Sequence, residues 1–498
     1  MKRKIILLVS ALIMALTSST YALEIPGYDG GIMNEMLYKE VIFITGEPII
    51  VEGTVNITNR GDRLVLSYRK LTNIEKDVTL TRNVTYDKAI NTNGSGQRTE
   101  TYSLSRFRET INVAGVKYES TEDTNQWSKS TILQQKPGAE YFKGSWDGRR
   151  VYTINKDEGT VEVTTVGDTY GYEQNWGATE TQRIQHFINY NRILPGEDGE
   201  QEAIRWQGTA EVHAAHNTTK EYSYEPNVPT QSSFKGAFML VEQQENVLKY
   251  SYDLPRLNDA GEILSQRNIG VNSLSLDTNP INQMLFTPAM RDVLGHTAER
   301  DILFLASLGA INPNSQNFGP SLPTSRGEFA RAVVVVLELL EEEQPKRNVR
   351  QRTIATTEEA SRLFVDVPSG DPNAKYIETV FEKGIMQGVG TNQFNPNQYL
   401  TKAQAITVLV KALGFEHLAP IQRYSTGFLD DNQIPEWAKD SVYVANQLGI
   451  LRDVNDGYFQ PNKWLSKAEA AEMLGDFIDY LQHEIRYDYR ERILNFSH

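Results

Sequence analysis

Three short segments near the C-terminus share side chains that can both cap a helix and carry a positive charge. They read PTSRGEFA, YLTKAQAI and WLSKAEAA. In each, a Ser or Thr is followed directly by a cation, and a Glu or Gln stands three residues after the Ser or Thr. The pattern S/T-x-x-E/Q is a capping box, which begins a helix. The three cations are Arg326, Lys402 and Lys467.

Each cation stands at the first helical position, where the positive end of the helix dipole makes a Lys or Arg unfavourable by roughly a few tenths of a kcal/mol. A helix start also presents free backbone N–H groups, which attract anions. An added cation would strengthen such a site, and Arg can bind a carboxylate through two parallel hydrogen bonds. We predict that the three cations point into grooves and bind an acidic group. A solvated charge or an ion pair with a neighbouring repeat is the alternative.

The three segments belong to a longer repeat. A Phe stands eight residues before each cation, a Gly nine or ten residues before the Phe, and an Asp further upstream. Apolar residues after each cation recur with a helical period. Each copy is predicted to be a helix, a Gly stop, a loop with an anchoring Phe and a capped second helix. The recurring residues are Phe318, Phe394 and Phe459, then Gly309, Gly384 and Gly449, then Asp292, Asp366 and Asp430.

This arrangement resembles the S-layer homology (SLH) family, whose modules anchor surface proteins to bacterial cell walls. The third copy, GFLDDNQIPEWAKDSVYVANQLGILRDVNDGYFQPNKWLSKAEAAEML, matches the family pattern best. The first keeps the D-V-x-G-H start but has Thr297 where Trp is usual, and the second replaces the start of its first helix. The expected organisation is an all-α bundle of three helix-loop-helix repeats at 286–340, 361–415 and 427–481, with a charged linker at 341–360 and a tail at 482–498.

The resemblance implies a ligand and a set of site residues. Such modules bind secondary cell-wall polysaccharides that carry ketal-linked pyruvate, with the motif cation on the pyruvyl carboxylate. Only Arg326 keeps the Arg of that motif, so grooves built on Lys could be weaker or structural. Trp437 could stack on a sugar face. Asp292, Asp366 and Asp430 could bond sugar hydroxyls or cap the first helices, whereas Gly309, Gly384 and Gly449, although grouped with the site, are better explained as structural.

The N-terminal segment MKRKIILLVSALIMALTSSTYA (1–22) has a basic start, an apolar run and a small-polar end. These three parts are typical of a secretory signal peptide, with an uncleaved membrane anchor as the alternative. No later stretch approaches 18 continuous apolar residues, so no membrane span is expected after cleavage. The protein is predicted to be secreted and to lie at the cell wall or cell surface.

Composition narrows the chemistry further. The chain has no cysteine, which excludes disulfides, thiolate metal sites and Cys nucleophiles. Its formal charge is −14, and removing the leader cations Lys2, Arg3 and Lys4 gives −17. A strongly acidic protein is a poor candidate for binding nucleic acid.

Residues 23–254 are predicted to form an all-β, sandwich- or barrel-like region. Segments rich in Val, Ile, Thr and Tyr, such as RLVLSY and TVEVTTV, alternate with turn signals such as NTNGSG and DEG. A boundary near 194–201 could divide the region in two. Residues 255–285 have weak periodicity and are predicted to be a connector.

The β region shows no recognisable catalytic or metal-binding motif. EVHAAHN contains His213 and His216, but residues three apart on a strand face opposite sides, and no third ligand follows at recognisable spacing. The acids near aromatics in GYEQNWGATE are better explained as ordinary strand and turn residues. We therefore predict no cofactor, no metal and no catalytic residue.

Two classes of function remain. The preferred one is a non-enzymatic surface protein, part of an S-layer or associated with one, which could also contact copies of itself in a lattice. The alternative is a wall-tethered polysaccharide hydrolase with its active site in the β region, which would need two carboxyl groups about 5 to 10 Å apart in a cleft. An outer-membrane tether that holds peptidoglycan is a weaker third option, because such proteins generally carry one repeat at the N-terminal end.

Overall fold

The computed structural model describes residues 30–34, 36–94, 97–195, 201–226, 236–258, 263–312, 316–340, 363–368, 370–421, 423–451 and 455–485. The predicted signal peptide and the charged linker lie outside the described residues, as does the tail beyond residue 485.

The N-terminal half is all-β, as predicted. Alternating small, β-branched and aromatic residues, separated by turn residues, form fifteen described strands. They are β1 (Ile32–Met33), β2 (Tyr38–Ile42), β3 (Ile49–Asn59), β4 (Arg63–Asn73), β5 (Val78–Thr92), β6 (Gln97–Val113), β7 (Val116–Thr121), β8 (Gln126–Lys136), β9 (Ala139–Ile154), β10 (Gly159–Gln174), β11 (Gly177–Pro195), β12 (Gln201–Glu225), β13 (Ala237–Leu257), β14 (Ile263–Asp277) and β15 (Ile281–Leu285).

The fifteen strands form a single antiparallel sheet. The order runs from β1 to β7 and then from β9 to β14, while β8 pairs with β6 and β9, and β15 pairs with β13. Along β10 the side chains of Val161, Val163 and Thr165 are buried and those between them are more exposed, so the sheet has an apolar inner face. The strands are therefore continuous in one sheet, and residues from its first strands share an apolar cluster with residues of β10 to β13.

Two predicted boundaries in the β region are wrong. The segment 255–285, predicted to be a connector, contains the end of β13 and all of β14 and β15. Its weak periodicity has a physical cause, because most side chains of β14 are exposed and its apolar residues change face between Val271 and Leu274. The proposed subdivision near 194–201 lies in the hairpin that joins β11 to β12, where Leu194 is paired with Glu202.

The C-terminal half contains six described α-helices, two in each of the three repeats. None of these helices is long and apolar enough to cross a lipid bilayer. They are α1 (Glu299–Ser307), α2 (Arg326–Val336), α3 (Ala374–Glu382), α4 (Lys402–Leu413), α5 (Glu436–Gln447) and α6 (Lys467–Asp479).

The second helix of each repeat packs against the first helix of another repeat. α2 contacts α3, α4 contacts α5, and α6 closes the ring by contacting α1. The same hydrophobic core continues into the sheet through Tyr141, Tyr172, Trp176 and Phe238. Aromatic stacking supports this junction, since the rings of Tyr222 and Phe304 lie 3.6 Å apart. One end of the sheet therefore shares a core with the helices, while a second apolar cluster lies within the sheet region itself.

Candidate functional site

The capping boxes form in all three repeats. The side chains of Ser325, Thr401 and Ser466 accept hydrogen bonds from the backbone N–H three residues on, and the Glu or Gln at that position accepts one from the capping residue in return. The helices α2, α4 and α6 accordingly begin at the three predicted cations. Local sequence is sufficient to place each cation at a helix start.

Each cation lies over the anchoring Phe of a different repeat. Arg326 stands 4.8 Å from the ring centre of Phe394 in the second repeat. Lys402 lies 5.3 Å from the ring of Phe459 in the third, and Lys467 lies 5.9 Å from the ring of Phe318 in the first. Cation–π attraction of this kind is worth about 0.5–1 kcal/mol at exposed sites and more when buried. The unfavourable position on the helix dipole is offset by contacts that link the repeats in a ring.

Backbone hydrogen bonds close the same ring. Thr324 N donates to Leu465 O at 2.9 Å, Leu465 N to Leu400 O at 2.9 Å, and Leu400 N to Thr324 O at 3.0 Å. These residues stand two positions before the three cations. The repeats therefore meet around a pseudo-threefold axis, and each one contributes an equivalent strand-like residue to it.

The first amides of α2, α4 and α6 are not available to an anion. Arg326 N donates to Gln398 O and Gly327 N donates to Pro396 O, both at 2.9 Å. The equivalent amides of α4 and α6 donate to the loops of the third and first repeats in the same way. The helix starts therefore do not form the backbone anion sites predicted from sequence, because loop carbonyls already occupy their free N–H groups.

In each repeat an Asp accepts hydrogen bonds from the backbone of the loop that carries the anchoring Phe; the three residues are Asp292, Asp366 and Asp430. Asp292 accepts from Phe318 N at 2.8 Å and from Gly319 N at 2.7 Å. These two backbone bonds hold the pKa of the Asp292 carboxyl below its ordinary value. Asp366 and Asp430 accept the corresponding pairs of N–H bonds in their own repeats. The contacts described are those of loop supports, not of caps on the first helices.

The three predicted glycines end the first helix of each repeat. Gly309, Gly384 and Gly449 have φ angles of 81°, 71° and 71°, the left-handed region that Gly enters without steric cost. A Cβ built at any of them would meet nothing within 4 Å. Backbone conformation, and not close packing, therefore requires glycine at these positions.

Arg326 is buried, with 6% of its surface exposed. Its Nε donates to Phe394 O at 3.1 Å and its Nη2 donates to Gln387 O at 2.8 Å. Burial lowers the pKa of the guanidinium from its ordinary value. Both described bonds run to backbone carbonyls of the second repeat, so the geometry favours an inter-repeat bond over the predicted carboxylate clamp.

Trp437 lies at the start of α5 and is 56% exposed, so its indole face is accessible. Thr297, in the matching position of the first repeat, donates its hydroxyl to Glu472 at 3.2 Å. The third repeat therefore presents an exposed aromatic ring at this position, and the first repeat does not.

Lys467 lines a cavity of about 300 Å³ between the first and third repeats, which the start of α3 also borders. Its Nζ bonds Glu328 Oε1 at 2.5 Å. Burial would raise the pKa of the Glu328 carboxyl, but the Lys467 ammonium and the Ser325 hydrogen bonds hold it below its ordinary value. The polar side chains that line this cavity are Asn312, Asn317, Glu328, Arg331, Asn373 and Lys467, together with Thr324.

Arg331 is the residue of this cavity that sequence reasoning missed. Its Nε and Nη2 donate to Gly309 O at 3.1 and 2.8 Å, and its guanidinium lies 5.5 Å from the ring centre of Tyr376. The available signal was a second cation five residues after Arg326, which the other two copies lack. The cavity is thus lined by the cations Arg331 and Lys467, by Asn side chains and by one carboxylate, that of Glu328.

The comparisons with known proteins agree with this architecture. Residues 289–330, 363–406 and 427–471 match the family model of the S-layer homology domain. The chain therefore carries three tandem SLH domains, as the repeat pattern predicted. They comprise α1 with α2, α3 with α4, and α5 with α6 in turn.

Among similar proteins are surface proteins and an enzyme. The chain is 28% identical to exoglucanase XynX of Acetivibrio thermocellus, over 42% of this chain and 18% of that protein. It is 32% identical to a cell surface protein of Thermoanaerobacter kivui, over 22% of this chain and 15% of that protein. It is 26% identical to an S-layer protein of Bacillus licheniformis, over 36% of this chain and 18% of that protein. The matches thus span less than a fifth of each relative. Together with the SLH domains, they confirm the predicted location at the cell surface.

Proposed function

We propose that the SLH domains anchor this protein to the cell wall by binding an acidic wall polysaccharide in the cavity beside Lys467. The observation that carries the proposal is the convergence of Lys467, Arg331 and the amide of Asn373 on one cavity, which is large enough for a sugar residue. The S-layer and cell-surface relatives support an anchoring role. A pyruvyl carboxylate on the polymer is the acidic group expected there.

The electrostatics of the cavity suit such a ligand. Lys467 and Arg331 together carry two positive charges against the single negative charge of Glu328. The Lys467–Glu328 ion pair is partly exposed, with 22% and 44% of the two side chains accessible. Its net contribution to the stability of the protein is therefore small. A carboxylate could therefore take the Lys467 ammonium as a shared partner, and Arg331 keeps donors beyond the two that bind Gly309 O.

The test is binding of the full-length mature chain to isolated wall sacculi. We expect Lys467→Ala to weaken binding at least tenfold, because Glu328 would then face the acidic polymer without a counter-charge. Lys467→Arg should restore most of the binding. Lys463→Ala is the matched control, since this exposed Lys pairs with Glu469 and does not line the cavity.

Sacculi stripped of their acidic polymer, and sacculi that keep the polymer but lack pyruvate, form the second arm. Loss of binding in both supports the pyruvyl carboxylate, and loss in the first alone points to another acidic group. If Lys467→Ala binds like the unaltered protein, the cavity is not the anchor site.

A wall-tethered polysaccharide hydrolase is the second candidate, because exoglucanase XynX and an amylopullulanase are among the similar proteins. A cavity of about 730 Å³ between the sheet and the helices is lined by Glu140, Glu173 and Glu242 of the β region. Burial raises the pKa of the Glu140 carboxyl, as a general acid would require. However, none of the residues lining that cavity is aromatic, whereas ligand pockets are predominantly lined by hydrophobic and aromatic side chains. Release of reducing sugar from wall polysaccharide, abolished by Glu140→Gln, would favour the hydrolase.

A further inference from the structure

A layer of buried polar side chains crosses the inner face of the sheet, away from the SLH domains. Glu180 and Gln182 on β11 and His216 on β12 are 1%, 2% and 4% exposed. Apolar residues lie on both sides of the layer along the same strands: Trp176 and Ala178 toward the helices, Ile184 and Ala214 toward the far end of the sheet. Polar groups in such surroundings need partners, because burial removes the water that would otherwise solvate them.

The tautomer of His216 follows from its neighbour. Asn246 Nδ2 donates to Leu276 O at 2.9 Å, so Asn246 Oδ1 is the acceptor that faces the imidazole. His216 Nδ1 lies 2.6 Å from that oxygen and therefore carries the proton. His216 Nε2 is thus left with a lone pair, and it has no hydrogen-bond partner among the described residues.

Glu180 and Gln182 present two more acceptors. Glu180 Oε1 accepts from Thr169 Oγ1 at 3.0 Å and from Gln182 Nε2 at 2.8 Å. The second bond fixes the Gln182 amide, so that its Oε1 is an acceptor that takes no part in the bond to Glu180 Oε1. Glu180 Oε2 and Gln182 Oε1 are both buried without a partner in the described part of the chain.

The three acceptors belong to one place in the sheet. Glu180 and His216 are directly opposite each other in the register of β11 and β12. Opposed residues on one face have Cβ atoms about 4.5–5.5 Å apart. Gln182 is the next inward-facing residue after Glu180 on β11 and is hydrogen-bonded to it. A carboxylate oxygen, an imidazole nitrogen and an amide oxygen therefore lack a donor in the same neighbourhood.

We propose that Glu180, His216 and Gln182 bind a divalent metal ion, with Zn²⁺ as the expected type. A cation satisfies three acceptors at once, whereas one water molecule has only two hydrogens to donate. A mixed nitrogen and oxygen set suits zinc, while Ca²⁺ and Mg²⁺ prefer oxygen ligands alone. Asn246 and Thr169 orient the imidazole and the carboxylate from behind, as outer partners do at metal sites.

The proposed ligand set is not made of acidic and histidine side chains alone. No group of three or more His, Asp or Glu side chains able to hold a metal occurs among the described residues. The proposed site contains two such side chains, and an amide completes it. His213, the other histidine of EVHAAHN, points to the opposite face, where its side chain is 47% exposed and contacts Glu211.

The 730 Å³ cavity provides a path for the ion. Its lining includes Ala178, two residues before Glu180 on β11, and Thr218, two residues after His216 on β12. Both lie on the same inner face as those two residues. The same cavity is lined by four carboxylates, those of Glu140, Glu173, Glu242 and Glu338, and by the three lysines Lys136, Lys220 and Lys383. Its charge therefore does not oppose the entry of a cation.

The experiment is calorimetric titration of the full-length mature chain with Zn²⁺ after treatment with a chelator, with Ca²⁺ and Mg²⁺ in parallel. We expect one Zn²⁺ per chain and a higher melting temperature in its presence. His216→Gln should weaken binding at least tenfold, and the near-isosteric Glu180→Gln should do the same if the first variant fails to fold. His213→Gln is the matched control and should bind like the unaltered protein.

Substitution by Co²⁺ adds a readout of the ligands themselves. Visible absorption bands that depend on His216 and not on His213 would support the assignment. The proposal is overturned if no Zn²⁺ binds, if the His213 variant loses the binding while the Glu180 variant keeps it, or if a high-resolution structure grown with Zn²⁺ shows ordered water only among these three side chains.

Discussion

The indole N–H of Trp176 donates a 2.9 Å hydrogen bond to the carbonyl oxygen of Val336. Trp176 lies in the turn between β10 and β11 and is 1% exposed, and Val336 is the last residue of α2. Asn175 Nδ2 donates to the same carbonyl at 2.9 Å. A carbonyl at the end of a helix has no partner within that helix, so the sheet completes the first SLH domain. We expect sheet and helices to unfold together.

Replacing this tryptophan should destabilise the whole chain. Trp176→Phe keeps most of the buried ring but loses the N–H donor, and we expect the free energy of unfolding to fall by about 1–3 kcal/mol. Trp176→Ala should cost about 3–5 kcal/mol. Chemical denaturation followed by circular dichroism measures both. Trp464→Phe is the control, because Trp464 is 61% exposed and its change should stay within about 0.5 kcal/mol. Separate transitions for sheet and helices would contradict the shared core.

Arg326 and Lys467 should separate stability from binding. Arg326→Ala leaves the carbonyls of Phe394 and Gln387 without their described donor, so we expect a loss of about 1–3 kcal/mol in the free energy of unfolding. The fraction that remains folded should still bind sacculi. Lys467→Ala should show the opposite result, with weak binding and a small change in stability. An Arg326→Ala protein that is fully stable but no longer binds sacculi would show that Arg326 binds the polymer, as the sequence predicted.

Gly384 should resist substitution for conformational reasons alone. Its φ of 71° is costly for any residue with a Cβ, although the space around it is open. We expect Gly384→Ala to lower the free energy of unfolding by about 1–2 kcal/mol. Gly370→Ala, in the same repeat, meets no neighbour within 4 Å and its φ lies outside the left-handed region, so it should be neutral or slightly stabilising. Equal effects in thermal unfolding of the two variants would show that helix termination is not the cause.

Asp301 should make stability depend on pH. Burial raises the pKa of this carboxyl from 3.8 to about 6; Arg300 opposes the shift, and Asp479 and Glu472 add to it. Between about pH 4 and 6 the unfolded chain loses this proton while the folded chain keeps it. Stability should therefore fall as the pH rises through this window and level off above it.

Asp301→Asn should remove that slope. The variant should match the unaltered protein near pH 4 and exceed it above pH 6 by up to about 1 kcal/mol, a value discounted because the side chain is only partly buried. Melting temperatures measured from pH 4 to 8 test this. If the melting temperature of the variant still falls as the pH rises from 4 to 6, other groups are responsible for the pH dependence.

Much of the SLH region could be predicted because its signals are local. A capping box acts within four residues, so Ser325, Thr401 and Ser466 mark helix starts wherever the repeats finally pack. Gly384 likewise ends its helix through its own backbone angle. In the β region local signals indicated strands but not their extent. β14 was missed because its apolar residues are mostly exposed and change face between Val271 and Leu274, although residues 267–277 pair with β13.

The sequence by itself determined the three repeats, the start of each second helix with its cation and the end of each first helix, because these depend on residues close together in the chain. Only the tertiary structure decided what each cation contacts. Arg326 bonds Gln387 and Phe394, more than 60 positions away, and Lys467 bonds Glu328 at a separation of 139. Glu180 meets His216 through strand register alone. Pairings at such separations follow from how the whole chain buries its apolar surface, and no local pattern records them.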